Sequence, residues 1–350
     1  MTPLGSRRHE VADALEANEL FQRNGWTDGL PIVPPTESRV RECLDWVGLS
    51  PADVIGTEPV RGVAISAEKV AVNAVAAGCL APYLPVVVTA IQAMCDPAFL
   101  LHGATASTGG SAILLVVNGP IRREIGMNAR DNVLGNGHRP NATIGRAVRL
   151  VLMNVLGCVP GALDRSTLGQ PGKFTLAIAE DEDDSPWMSL AEERGVPTGA
   201  SAVTVLACAP PRQVMNEWTT DPEEILDTFA AEMRANMLTY SVWAGNYALL
   251  IPKQLRDLIA AAGWRKREIR EYIHRAARVR RGDWRGAGKA TLTAGADDGR
   301  EFSALQSPDD LLVVAAGGPA GGFGAVVPPW FGTRSRAVTR AVGLCQQCDG

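Results

Sequence analysis

The chain has 350 residues, 46% of them hydrophobic and 21% charged, and a formal net charge of -4. That size and balance exclude a disordered chain and suit one large core or two lobes, while the slight acidic excess speaks against a nucleic-acid-binding face, which needs clustered positive charge. No run reaches the roughly 18 apolar residues of a membrane span, the first residues lack a signal peptide's apolar core, and the seven cysteines, an odd number scattered through apolar segments, read as reduced thiols in a cytoplasmic protein.

In chain order, residues 9–24 pattern as an amphipathic helix with Val11, Leu15, Leu20 and Phe21 on its apolar side. The Pro- and Gly-rich stretch 25–36 follows, where Trp26 and Asp28 either line a pocket wall or, the commoner use of a tryptophan, plug a core edge. Residues 37–47 read as helix and 60–65 as a short strand. Ser66 is a cap, Glu68 suits the positive first turn and Gly78 stops that helix. A second helix opens at Leu84-Pro85, with Cys79 in the elbow between the two. After a polar loop at 102–111 carrying His102, Ser107 and Thr108, the run 112–117 is apolar and β-branched, as suits a strand buried on both faces.

A second polar loop, 128–140, holds His138 and leads into a helix with Asn141 as its cap and Gly157 as its stop. A glycine-containing loop before a helix start can hold a phosphate or carboxylate, and Asn141, Thr143 and Arg146 are its candidate anion-binding residues, with Arg139 and His138 in support. Ser107, Thr108, Lys173 and Glu180 complete the expected substrate-binding set.

Beyond residue 157 strands (174–179, 203–207, 247–251, 311–316) alternate with helices (221–239, 253–258, 266–280). That texture predicts an α/β fold, a mixed or mostly parallel sheet layered with helices, in two lobes. The expected division is 1–60 for the N-terminal helices and Pro/Gly-rich loop, 61–160 for an α/β lobe with the site loops, and 161–350 for a second α/β lobe with a glycine-rich C-terminal segment. No internal repeat is visible. The acidic run 180–184 offers oxygen ligands for Mg²⁺ or Ca²⁺ but lacks the glycine spacing of a calcium loop, so a solvated turn is the preferred reading, with Glu180 at the strand end its functional member. The glycines of 317–324 lack the dinucleotide-loop spacing and read as a strand end that allows close backbone approach to a ligand.

Nucleophilic catalysis needs a thiol or hydroxyl beside a positioned base. Cys79, at a helix elbow, is the candidate nucleophile, weighed against the strong tendency of free cysteine to be buried packing. His102 and His138 are the candidate bases. A zinc site built from these three has no recognisable ligand spacing behind it, so neither metal nor cofactor is assigned. Cys345 and Cys348 form a C-x-x-C pair with a redox or metal-binding reading, outside the strand-to-helix setting of a thioredoxin motif.

Residues 25–36 (GWTDGLPIVPPT), 77–87 (AGCLAPYLPVV), 141–146 (NATIGR) and 168–174 (LGQPGKF) resemble successive landmarks of the large domain fused to, or encoded beside, UGSC-type proteins, and the similarity covers nearly the whole chain. The chain has no U/C-Gly-Ser-Cys string, so it corresponds to the large component without that module. The anion site before the Asn141 helix, with Cys79 and His102, points to a small carboxylated substrate, and the resemblance implies thiol-assisted or C–S/redox-type chemistry on it, of lyase or oxidoreductase class, in a hetero-oligomer with a small UGSC-type protein that carries a thiol or selenol. Two other functions stay open: a metal-dependent lyase or hydrolase, and a non-catalytic large subunit that positions the UGSC partner.

Overall fold

The computed structural model describes residues 2–295 and 297–343. Cys345 and Cys348 lie outside the described residues. Two mixed four-stranded sheets stack face to face, each covered on its outer side by helices, so the α/β fold is a four-layer sandwich. Strand alternation builds these layers. Along Ala112–Asn118, for example, Ala112, Leu114 and Val116 point into the seam between the sheets, while Ile113, Leu115 and Val117 point at the helices. Leu250, Leu312 and Val327 meet them across the seam from the second sheet.

The first sheet pairs Ala112–Asn118 in parallel with Ala177–Ala179 and antiparallel with Ala202–Cys208. The second pairs Tyr247–Ile251 in parallel with Leu311–Ala315 and antiparallel with Phe323–Val327. The fourth strands are exchanged. Arg212–Met215 follows the first sheet's third strand but adds to the second sheet beside Phe323–Val327, and Val338–Ala341 follows the second sheet's third strand but adds to the first beside Ala202–Cys208. Both sheets therefore have the same pairing order, a repeat of topology that the sequence does not show. The halves meet after Cys208 rather than near 160, because strands on either side of 160 lie next to each other in one sheet.

Local chemistry explains most element ends. Ser66 Oγ accepts from Lys69 N, and Gly78 takes the left-handed φ of 97° that stops the helix. Asp221 Oδ1 accepts from Glu223 N and Glu224 N at the start of Pro222–Thr239. Elsewhere tertiary contacts shift the boundaries. The first helix is trimmed to Ala14–Arg23, capped by Asp13. The expected loop at 102–106 is helical, Leu101–Ala106, because Leu100 adopts φ 63° and redirects the chain. His138, not Asn141, is the cap of the Arg139–Asn154 helix. Among the described residues no helix is long and apolar enough to cross a membrane.

Leu250 is 2% exposed in the seam. Leu250→Ala should cost about 2–5 kcal/mol, and because each sheet contains a strand from the other half, urea unfolding followed by tryptophan fluorescence and by far-UV circular dichroism should give one shared transition. Two separated transitions would show that the halves unfold independently.

Candidate functional site

The candidate residues fall into three places. The first is the start of the Arg139–Asn154 helix. Asn141 sits in the first turn, and its side chain is used sideways: Oδ1 accepts from Asn128 N at 2.8 Å, and Nδ2 donates to Asn128 O at 2.9 Å and Ala177 O at 3.1 Å. Arg139 donates twice to Gly78 O, at 3.0 and 2.8 Å. Arg146 closes a bidentate fork on Asp28, both contacts 2.8 Å, and adds Pro31 O at 2.9 Å. The planar guanidinium that was expected to take an external anion is thus filled by the chain's own carboxylate, which pins the 25–36 loop. Thr143 Oγ1 donates to Arg139 O at 2.8 Å, a back-bond within the helix.

Cys79 lies under this helix start and is buried. Burial pushes its thiol up to about 12 against the opposing effect of the Thr143 hydroxyl. Burial likewise pushes Cys43 and Cys208 to about 12 and Cys95 to about 11. All five described cysteines are free thiols, and at neutral pH these four stay protonated, so none has the thiolate character that a nucleophile requires.

The second place is the carboxyl ends of both parallel strand pairs, where α/β sheets usually bind ligands. Asp181 N donates to Ala315 O at 2.7 Å and Gly317 N to Ala129 O at 2.9 Å, which sews the two ends together. Here the acidic run is solvated only at its outer end, at Asp183 and Asp184, while Glu180 and Asp181 are buried. Glu180, 1% exposed, accepts from Lys266 Nζ at 2.7 Å, Asn118 Nδ2 at 2.7 Å and Leu190 N at 2.6 Å. Asp181 pairs with the buried Arg256, Glu182 and Asp183 with Arg122, and Asp184 with Arg130 and Lys253. Every carboxylate faces a cation, with Arg122 shared by Glu182 and Asp183, so the run is an ion-pair strap between the halves. Glycine at 318 is required for this close approach, since a Cβ there would lie 2.1 Å from Asp131 Oδ1.

The third place is the opposite, amino end of the first sheet. Ser107 Oγ accepts from Trp330 Nε1 at 2.7 Å and from Gly109 N at 2.9 Å, and Thr108 O accepts from Thr167 N at 3.0 Å, joining the 102–111 segment to the 158–173 loop. In that loop Lys173 Nζ donates to Ser166 Oγ at 2.7 Å and to Asp164 Oδ2, while Ser166 Oγ also bonds Asp164 Oδ1. Arg149 stands behind, with Nε on Lys173 O at 2.9 Å and Nη1 4.0 Å from Asp164. Burial draws the Lys173 amine below its ordinary value, Asp164 opposing and Arg149 adding to the effect. Two cations share one carboxylate, so the cluster carries an excess positive charge in a mostly buried setting. Thr105, whose hydroxyl reaches His102 O and Cys158, connects His102 to it. The His102 Nδ1 atom is buried without a partner among the described residues.

His102 and His138 therefore do not converge. They lie toward opposite ends of the 16-residue Arg139–Asn154 helix, about 24 Å long at 1.5 Å per residue. Cys79 and His138 lie at its start, whereas Lys173 packs beside Arg149 and Leu152 in its later turns and His102 is linked through Thr105 to Cys158, just past its end. Among the described residues no group of three His, Cys, Asp or Glu side chains is placed to hold a metal ion. Sequence reading missed Asp164 and Ser166. The available signal was an Asp-Arg-Ser turn, in which Ser166 N bonds Asp164 Oδ1 at 3.1 Å, a few residues before Lys173.

Two outcomes follow from the helix start. Burial alone would raise the Asp28 carboxyl, but the hydrogen bonds and charge of Arg146, with Leu30 N and the Thr27 hydroxyl, hold it below the ordinary 3.8. Since the folded value is the lower one, the pair's contribution is complete above about pH 4 and is lost as pH falls through the folded value. Asp28→Asn should cost about 3–5 kcal/mol by stranding Arg146 and should flatten that acid limb in pH-dependent urea unfolding. Arg146→Lys should retain the limb and cost less. Separately, iodoacetamide at pH 8 should leave Cys43, Cys79, Cys158 and Cys208 unmodified in the native protein, as read by peptide mass spectrometry.

No protein-family model matches the chain, and no curated protein matches it significantly in sequence. Function therefore has to be read from geometry.

Proposed function

We propose that the chain is the large subunit of a cytoplasmic enzyme that makes or breaks a C–S bond on a small carboxylated molecule, with Lys173 as the proton-transfer residue and the reactive thiol or selenol supplied by a small UGSC-type partner. One observation carries the reading: Lys173 Nζ lies 2.7 Å from Ser166 Oγ with Asp164 behind it, on a loop that reaches solvent. A base beside a hydroxyl, held by a third group, is the arrangement that proton transfer needs. The lowered lysine favours the free amine that a base requires, and the Arg149 guanidinium behind it supplies the positive charge that favours a carboxylate substrate.

In the elimination direction, the neutral Lys173 amine takes the proton from the carbon next to the carboxylate. The C–H electron pair forms the C=C bond, and the β-carbon releases its sulfur as a thiolate. Addition is the reverse, with the partner's thiolate as nucleophile. The buried cysteines here agree with a thiol that comes from outside the chain. The void beside Lys173 and Arg149 measures about 10 Å³, room for one water, so the substrate approaches from the solvent side of the loop.

The test is thiol release from small β-thioether carboxylates, with the partner present. Lys173→Met should lower kcat/KM by at least about 100-fold, the usual scale for general-base loss. Asp164 raises the Lys173 value, so Asp164→Asn should move the rising limb of the pH–rate profile to lower pH, a shift that a merely structural aspartate would not produce. Unchanged turnover in Lys173→Met would instead identify the chain as a non-catalytic scaffold for its partner.

A further inference from the structure

A large cavity lies between the N-terminal arm and the helices Ala14–Arg23, Glu37–Val47 and Ala67–Ala77. It measures about 630 Å³, within the range of small-molecule sites. Its wall is mainly apolar, and Phe21, Trp26, Val40 and Val72 line it, with the Phe21 and Trp26 rings edge to face at 5.6 Å. The Asp28–Arg146 pair fixes the loop that carries Trp26. The arm forms the roof. Glu68, buried at 5%, accepts from Gly5 N at 2.8 Å and Ser6 N at 2.7 Å, and Arg8 pairs with Glu37 at 2.6 Å.

The rim is electrostatically uneven. Glu37 is occupied by Arg8 and Arg41, and Glu68 by the arm's backbone. Among the described residues Arg7 and Lys69 form no ion pair; the charge of Lys69 acts on the neighbouring Glu68 carboxyl, which it helps hold below its ordinary value, and Lys69 Nζ bonds Ser6 Oγ at 3.1 Å, so both ammonium and guanidinium heads stay at the cavity rim with Glu10.

We propose that this cavity binds an apolar-bodied carboxylic acid, its hydrocarbon part against Phe21, Trp26, Val40 and Val72 and its carboxylate at Lys69 and Arg7. An apolar interior of this size stabilises a chain or ring of about ten carbons by removing it from water, and the rim cations distinguish an acid from a neutral analogue. The site is independent of the Lys173 cluster.

The probe is 8-anilinonaphthalene-1-sulfonate, an apolar anion that brightens when bound, displaced by decanoate or by decanol. Decanoate should displace it from the wild type, with decanol about tenfold weaker, the scale of one charge contact. Lys69→Glu changes an exposed side chain and should weaken decanoate about tenfold while leaving decanol unchanged. Val72→Trp should fill the cavity and abolish displacement by both. Lys173→Met should bind as the wild type does, so failure of the proposed enzymatic role leaves this result intact. Failure of decanoate to displace the probe, or equal decanoate affinity in wild type and Lys69→Glu, overturns the proposal, and the latter comparison decides it even if Val72→Trp does not fold.

Discussion

The constraint on which the rest of the molecule depends is that neither sheet is complete within its own half of the chain. Each sheet takes its fourth strand from the other half, and the two sheets bury their inner faces against each other. A strand ladder needs continuous hydrogen bonding and a matched apolar face. Loss of either crossover would open an edge on one sheet and strip part of the seam from the other. The helices outside the sheets are thereby held at fixed positions, and the loops at the two ends acquire fixed neighbours.

The two ends of the sandwich solve opposite electrostatic problems. At the carboxyl ends, five consecutive acidic residues would repel one another, yet cations from both halves are brought in to pair with them, most deeply where Lys266 meets Glu180. Buried pairs of this kind contribute little net stability compared with apolar packing, but removal of one partner is costly. They therefore specify how the halves meet. At the amino end of the first sheet the balance is not closed, because Lys173 and Arg149 face a single aspartate. An unbalanced, partly accessible cluster retains capacity for a ligand, whereas a balanced buried one has spent it.

How much of this was legible in the sequence depended on range. Runs such as 112–118 and 202–208, buried on both faces, announce themselves by apolar, β-branched composition, and the Ser66 and Asp221 caps by local chemistry. The exchanged strands did not. Arg212–Met215 and Val338–Ala341 are short, polar and partly exposed, so nothing in their composition separates them from loop. For the same reason the topological repeat was invisible. Among the site residues, Lys173 was recognised, but its partners were not, since a single Asp or Ser in a turn usually serves the turn. Arg146 was read as an anion ligand because its partner, Asp28, is remote in sequence. Asn141 was read as a cap because the pattern allows it, but its side chain instead fastens the neighbouring loop to a strand.

The strand exchange also bears on how the chain is made. During synthesis from the N-terminus, Ala202–Cys208 can pair with Ala112–Asn118 early, but its other edge finds Val338–Ala341 only after the entire second half has been produced. Until then the nascent first sheet presents an unpaired edge and an uncovered apolar face, the combination that invites pairing with the wrong chain. Vectorial folding can proceed through the helices that coat the first sheet, yet the closing step is necessarily late and long-range. Slow elongation or a holding chaperone would thus guard this interval, and truncation anywhere before residue 338 would leave the first sheet permanently open.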